Sequence, residues 1–189
     1  HIAVGEYHFE NKNLYEALAA YKKASKFKEA KQYGYAMYKL GWCYMNTGNI
    51  KDAPKAVNTF KEVIRWSGEA GDSLLDLRDQ ALKDLVSAYT DVPNLNVDEA
   101  ESYFRTVGSH NYFVKMLQLL ASTYFEQGRD DECVAVYRRL VKMQPMVVTV
   151  FDWETQILKA FIRKDDSDLV LTQMTRIVGL LKTDSAWFT

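Results

Sequence analysis

The sequence predicts an all-α fold of stacked helix pairs, nine to eleven helices in all. Three observations predict it. Nine Gly and three Pro in 189 residues leave little material for the tight turns of an all-β chain. Apolar residues recur at helical spacings of three and four along most of the chain. Finally, the small or apolar anchors Gly5, Gly41, Val86 and Ala121 stand 36, 45 and 35 residues apart, the mark of an internal repeat.

The first pair has Gly5 and His8 on its first helix, then Ala17, Tyr21 and Ala24 on its second. In the second pair Met37, Leu40, Gly41 and Tyr44 form the inward stripe, and Gly48 makes the turn. Ala56, Phe60 and Val63 follow, three residues late, so Asp52 to Lys55 reads as a small insertion. Ala53 and Val57 offer a competing register. A long connection is expected over Trp66 to Leu77, which holds Gly68 and Gly71, with the next helix starting near Asp72 or Ser73. The third pair carries Leu82, Leu85, Val86 and Tyr89, then Ala100, Phe104 and Val107, and lacks a small residue in its first helix. The fourth is the cleanest. Leu117, Leu120, Ala121 and Tyr124 precede Gly128, then Cys133, Tyr137 and Leu140 precede Pro145. Beyond it, Val147 to Lys164 and Ser167 to Lys182 read as a degenerate fifth pair, with Phe151 and Leu158 on the expected stripe and Glu154 and Thr155 off it. Asp184 and Ser185 read as caps of a further helix.

Each pair is too small to bury its own apolar stripe, so stability has to come from stacking, which gives one continuous core with a concave and a convex side. Gly41 and Ala121 would let two helices approach closely.

The fourth pair resembles the tetratricopeptide repeat, whose pattern is W-x2-L-G-x2-Y, then A-x3-F, then P, with Cys133 here in the place of Ala. The resemblance runs over residues 1 to 182. It implies a right-handed superhelical α-solenoid of about five helix pairs, in which the first helices line a concave groove. The stretches YAMYKLGWCYMNTGN and LRDQALKDLVSAY and the closing SAW are also similar in texture to tetratricopeptide proteins of the deltaproteobacterial cell envelope, including gliding-motility components. That similarity implies a periplasmic or envelope-associated scaffold.

Composition narrows the function. Twenty-four basic and twenty-five acidic residues give a net charge of −1, which makes no general case for nucleic acid or an anionic membrane. No apolar run reaches membrane-spanning length. His1 to Glu10 has neither the basic start nor the apolar stretch of a signal peptide. With no initiator Met and an end at Trp187, Phe188 and Thr189, the chain reads as an excised fragment. Charge is nevertheless uneven: residues 1–68 carry eleven basic and six acidic side chains (+5), residues 69–101 two and nine (−7), residues 102–189 eleven and ten (+1). Such a bipolar chain can steer a bipolar partner or a second copy of itself.

Enzyme signatures are missing: there is no HExxH, GxSxG, P-loop or GxGxxG. No metal or cofactor is expected. Asp165, Asp166 and Asp168 lack EF-hand spacing and read as a helix-capping turn. His8 reads as a packed or rim residue. Cys43 and Cys133 lie two repeats apart and read as buried free thiols. Lys22, Lys23, Lys26, Lys28 and Lys31 read as a solvated helix face.

The most informative stretch is Tyr33 to Asn46. Beside the inward stripe it carries Tyr35, Tyr38, Trp42 and Met45, a second stripe roughly 130° away at 100° per residue. One packed helix needs a single apolar stripe. The extra one has to meet the neighbouring repeat, a partner, or both, and Trp and Tyr are enriched at binding hot spots. The resemblance aims this stripe at the groove, together with Lys83 and Ser87 of the third pair and Gln118, Ser122 and Phe125 of the fourth. The chaperone-binding members of the family hold a C-terminal carboxylate there with Lys, Asn and Arg. Here those places carry Tyr38 and Trp42, Asp84, then Lys115 and Leu119, so that ligand is disfavoured. The expectation is a non-enzymatic scaffold holding a peptide or helix of a partner protein, with homo-oligomeric self-assembly as the alternative.

Overall fold

A computed structural model describes residues 1–69, 75–93, 95, 97–107 and 110–181. Among the described residues the chain is all helical, with ten α-helices and no strand. It divides into two units, His1–Ala100 and Glu101–Thr189.

The first unit opens with α1 (Ile2–Glu10) and α2 (Leu14–Ala24). They close on each other because Gly5 has no side chain: a Cβ there would stand 2.7 Å from Tyr21 Cε1. Next come α3 (Tyr33–Asn46), a 3-10 turn (Ile50–Asp52) and α4 (Ala53–Glu69). Gly48 makes the α3–α4 turn at φ +67°, a left-handed conformation that favours glycine. Its counterpart Gly128, at φ +74°, ends a helix of the second unit. The insertion expected at Asp52 to Lys55 is the end of the 3-10 turn and the first residues of α4, where Asn49 Oδ1 accepts from the Lys51 N–H at 3.1 Å. α5 (Leu75–Thr90) packs on α4, and α6 (Val97–Val107) crosses from one unit to the next.

Two expectations for α4 are corrected. Ala53 and Val57 do not compete with Ala56, Phe60 and Val63, because all five are buried. α4 packs against both α3 and α5, and a sandwiched helix needs two apolar faces. The connection expected from Trp66 is helix as far as Glu69. Trp66 prolongs it by seating its ring over Gly34, where a Cβ would collide with the six-membered ring, and by meeting Tyr33 edge-on at 5.6 Å. The helix start expected near Asp72 or Ser73 lies outside the described residues.

In the second unit α7 (His110–Glu126) and α8 (Asp130–Met143) form the pair predicted most clearly. Leu117, Leu120, Ala121, Tyr124, Cys133, Tyr137 and Leu140 are all buried. The fifth pair exists as α9 (Thr149–Arg163) and α10 (Ser167–Leu180), but its register differs from the expected one. Phe151 is exposed and Leu158 only half-buried, while Val150, Trp153, Ile157, Ala160 and Phe161 form the core. Glu154, placed off the stripe by its polarity, is 2% exposed. Its carboxylate accepts from Gln173 Nε2 at 2.7 Å and from Arg176 Nε, both on α10, so the charge is buried with partners. The aspartate turn is a helix cap: Asp166 Oδ1 accepts from the Leu169 N–H at 3.1 Å. Asp184 and Ser185 lie outside the described residues.

Candidate functional site

α3 buries Tyr33, Gly34, Ala36, Leu40, Gly41 and Cys43, and sends its second stripe the other way. Tyr35 is 38% exposed, and Tyr38, Trp42 and Met45 are half-buried. Each has a definite neighbour. Glu6 of α1 accepts from the hydroxyls of Tyr35, at 3.0 Å, and Tyr21, and its other oxygen is 3.6 Å from Lys39 Nζ. One carboxylate thus ties α1, α2 and α3. Burial, then the hydrogen bond to Glu6, pushes the Tyr35 hydroxyl up to about 12, so it is a donor at any neutral pH.

Asp84 of α5 is the second anchor. A single oxygen, Oδ2, accepts from Tyr38 Oη at 2.7 Å and from Trp42 Nε1 at 3.1 Å. Burial holds the Asp84 carboxyl above the usual aspartate range; the two donors and nearby Lys83 pull it back in part. Tyr38 is pushed up to about 12, chiefly by burial and next by its bond to Asp84. Its ring meets Phe60 edge-on at 6.0 Å, which joins the outward stripe to the core. Lys83 is exposed. Met45 borders a hollow of 340 Å³ at the end of α3, with Ile50 and Asp91 on its rim.

Gln118 and Phe125 stand on α7 in the second unit, and both are half-buried. The Arg163 guanidinium lies over the Phe125 ring, 3.9 Å from its centroid, and also pairs with Asp130. Ser122 turns its hydroxyl to Leu119 O of its own helix at 2.9 Å. Tyr35, Tyr38, Trp42 and Met45 therefore form one continuous face of α3. Asp84 and Glu6 complete it, and the sequence did not single them out for this role. By the anchors Gly5, Gly41 and Val86, Glu6 takes the place of Trp42 and Asp84 that of Lys39, so the repeat spacing carries no signal for this role.

His8 is half-buried, and its Nδ1 has no hydrogen-bond partner. Both cysteines are buried free thiols, pushed up to about 12 by burial, so neither is poised as a nucleophile. The five lysines from Lys22 to Lys31 are exposed. No helix among the described residues is long and apolar enough to cross a membrane, and no group of three His, Cys, Asp or Glu among them could hold a metal ion.

Comparison with protein families matches two segments, each to a tetratricopeptide repeat: residues 35–65, in α3 and α4, and residues 114–145, in α7 and α8. The chain carries tetratricopeptide repeats at these two places. No curated protein matches it. Similar solved structures include kinesin-light-chain-type, nearly identical TPR-like repeats from Podosopora anserina (16% identity, 95% of this chain and 94% of that one, TM-score 0.49). A MamA protein is also similar (17% identity, 98% and 94%, TM-score 0.38), as is a MamA double mutant (18%, 97% and 94%, TM-score 0.37). At these scores the likeness carries no functional assignment.

Proposed function

We propose that the chain is a non-enzymatic protein–protein interaction scaffold that takes a peptide or helix of a partner protein against the outward face of its first helices. The observation that carries this reading is α3 itself, a repeat helix with a full inward stripe and a second aromatic one whose rings keep part of their surface in water. Tyr35, Tyr38, Trp42, Met45 and Lys83 offer apolar area beside polar tips and a cation, the composition of an interface centre and rim. Gln118 and Phe125 are the corresponding contact residues proposed for α7. The test is affinity capture from the source cell with the wild-type chain and a Tyr35→Ser, Trp42→Ala double variant. A protein retained by the wild type and released by the folded variant supports the reading. An identical set of retained proteins would refute it.

Self-assembly is the second reading. It is favoured by the +5 and −7 segments and by the exposed stripe Leu171, Met174 and Val178 of α10, continued by Leu181 just past its end. Mass in solution separates the two, since only self-assembly predicts a mass that rises with concentration. Membership of a bacterial envelope complex rests on the similarity of texture alone, and fractionation of the source cell tests it.

A further inference from the structure

Arg138 and Lys142 stand one turn apart on α8, and Thr172 and Arg176 one turn apart on α10. α9 packs on both helices and supplies Glu154 between them. The result is a cleft of 540 Å³ with Val141 and Pro145 among its apolar lining. Three of its side chains are cations and one is an anion, a formal charge of +2. The anion is already satisfied: Glu154 is 2% exposed and bonded to Gln173 and Arg176. Arg176 uses its Nε for Glu154, and its side chain remains 60% exposed.

The two α8 cations that line the cleft, Arg138 and Lys142, differ from most others in this unit. Arg105 pairs with Glu101, Arg129 with Glu132, Arg139 with Glu101, Arg163 with Asp130 and Lys164 with Asp131. Among the described residues Arg138 and Lys142 have no acidic partner, and the Arg138 guanidinium rests 5.7 Å from the Phe161 ring centroid. Lys115 and Lys159 also lack one, but they do not line the cleft.

We propose that this cleft binds an acidic peptide segment of a partner protein, with two carboxylates answering Arg138, Lys142 and Arg176. The cleft falls within the size range of small-ligand pockets and is far larger than a lone inorganic anion. The apolar side chains beneath the cations suit a peptide backbone and side-chain stems. The site uses neither α3 nor its aromatics, so it stands or falls separately from the function proposed above.

The probe is a fluorescently labelled hexaglutamate peptide, followed by anisotropy at low salt. Arg138→Glu with Lys142→Glu is compared with Lys115→Glu with Lys159→Glu, which makes the same charge change on exposed, unpaired lysines of the same unit. The expected result is saturable binding that the cleft pair weakens about tenfold or more and the control pair changes by no more than about twofold. Equal weakening by both pairs would overturn the proposal, as would the absence of saturable binding by the wild type. Displacement of the peptide by inorganic phosphate at the peptide's own concentration would also overturn it, since the site would then be an anion site. Far-ultraviolet spectra check folding, and Arg138→Gln with Lys142→Gln replaces the reversal if that variant does not fold.

Discussion

Gly41 lies beneath the ring of Phe60, so close that a Cβ would stand 2.8 Å from Cε1 and 2.9 Å from Cζ. Phe60 is fully buried and Tyr38 meets it edge-on, so the ring cannot swing away without disturbing both α3 and α4. Gly41→Leu should therefore destabilise by about 1–3 kcal/mol or more, the cost of overpacking a filled core. Ala121→Leu, at the matching place in the second unit, should behave likewise. Val86→Leu adds one methylene where a bulky residue is already accommodated, and should cost less. Denaturant midpoints measure all three. An unshifted midpoint for Gly41→Leu would show that the α3–α4 contact is not as described.

Asp84 receives Tyr38 and Trp42 on one oxygen, which sets apart an isosteric substitution from a truncation. Asp84→Asn can place its single amide oxygen where Oδ2 was, so both bonds survive. Asp84→Ala leaves two partly buried donors without an acceptor and should cost about 1–3 kcal/mol. The pH dependence has a definite sign. Burial raises the folded-state carboxyl above its ordinary 3.8, so the group binds its proton more tightly folded than unfolded. Its contribution is full below the unfolded value and is lost as pH rises through the folded one. The stability of wild type relative to Asp84→Asn should fall as pH climbs from about 3.8, and paired thermal melts from pH 3 to 7 measure the difference. A difference that is flat across this range would show that Asp84 is not held above its ordinary value.

Gln173 is 4% exposed and donates to both the backbone carbonyl of Glu154, at 2.9 Å, and its carboxylate, at 2.7 Å. Gln173→Leu keeps the volume and removes both bonds, leaving a buried carboxylate with Arg176 alone. The expected loss is about 1–3 kcal/mol, read as a shift of the denaturant midpoint. Glu154→Gln in the same background should recover part of it, because the buried group is then neutral. If the single variant is as stable as wild type, the α9–α10 contact does not depend on this pair.

These residues also mark where the sequence was legible. Gly41 with Phe60, and Ala121 within the α7–α8 core, are local consequences of a periodic pattern, so two helix pairs could be read with their inward stripes. The register of α9 is not legible in the sequence because its core includes Glu154. No periodicity indicates that a glutamate at that position will be met by Gln173 and Arg176, 19 and 22 residues further on. Gly68 and Gly71 make the sequence after Trp66 read as a connection, whereas the glycine that governs Trp66, Gly34, lies a helix earlier. The α3 stripe was visible as a surplus of aromatic residues. Its polar half was not, since Asp84 is 46 positions from Tyr38 and nothing in the local spacing joins them.

Trp42 is where the inter-repeat contact and the proposed partner face coincide. Its ring is half-buried, and Nε1 donates to Asp84. Truncation removes both the ring that a partner would cover and the bond that ties α3 to α5. Trp42→Ala should weaken partner binding by about 2 kcal/mol, the scale of an aromatic hot spot. It should also lower stability, since Asp84 keeps only Tyr38. Trp42→Phe separates the two effects. It retains an aromatic ring for the partner and loses the N–H, so it should lose stability by about 0.5–1.5 kcal/mol, the net worth of one hydrogen bond, while keeping most of the binding. Affinity for the captured partner and denaturant midpoint are measured on both variants, with binding referred to the folded fraction. Binding that is lost in the alanine variant and kept in the phenylalanine variant assigns the ring to the partner. Binding that is equal in the wild type and both variants would assign Trp42 wholly to the contact between α3 and α5.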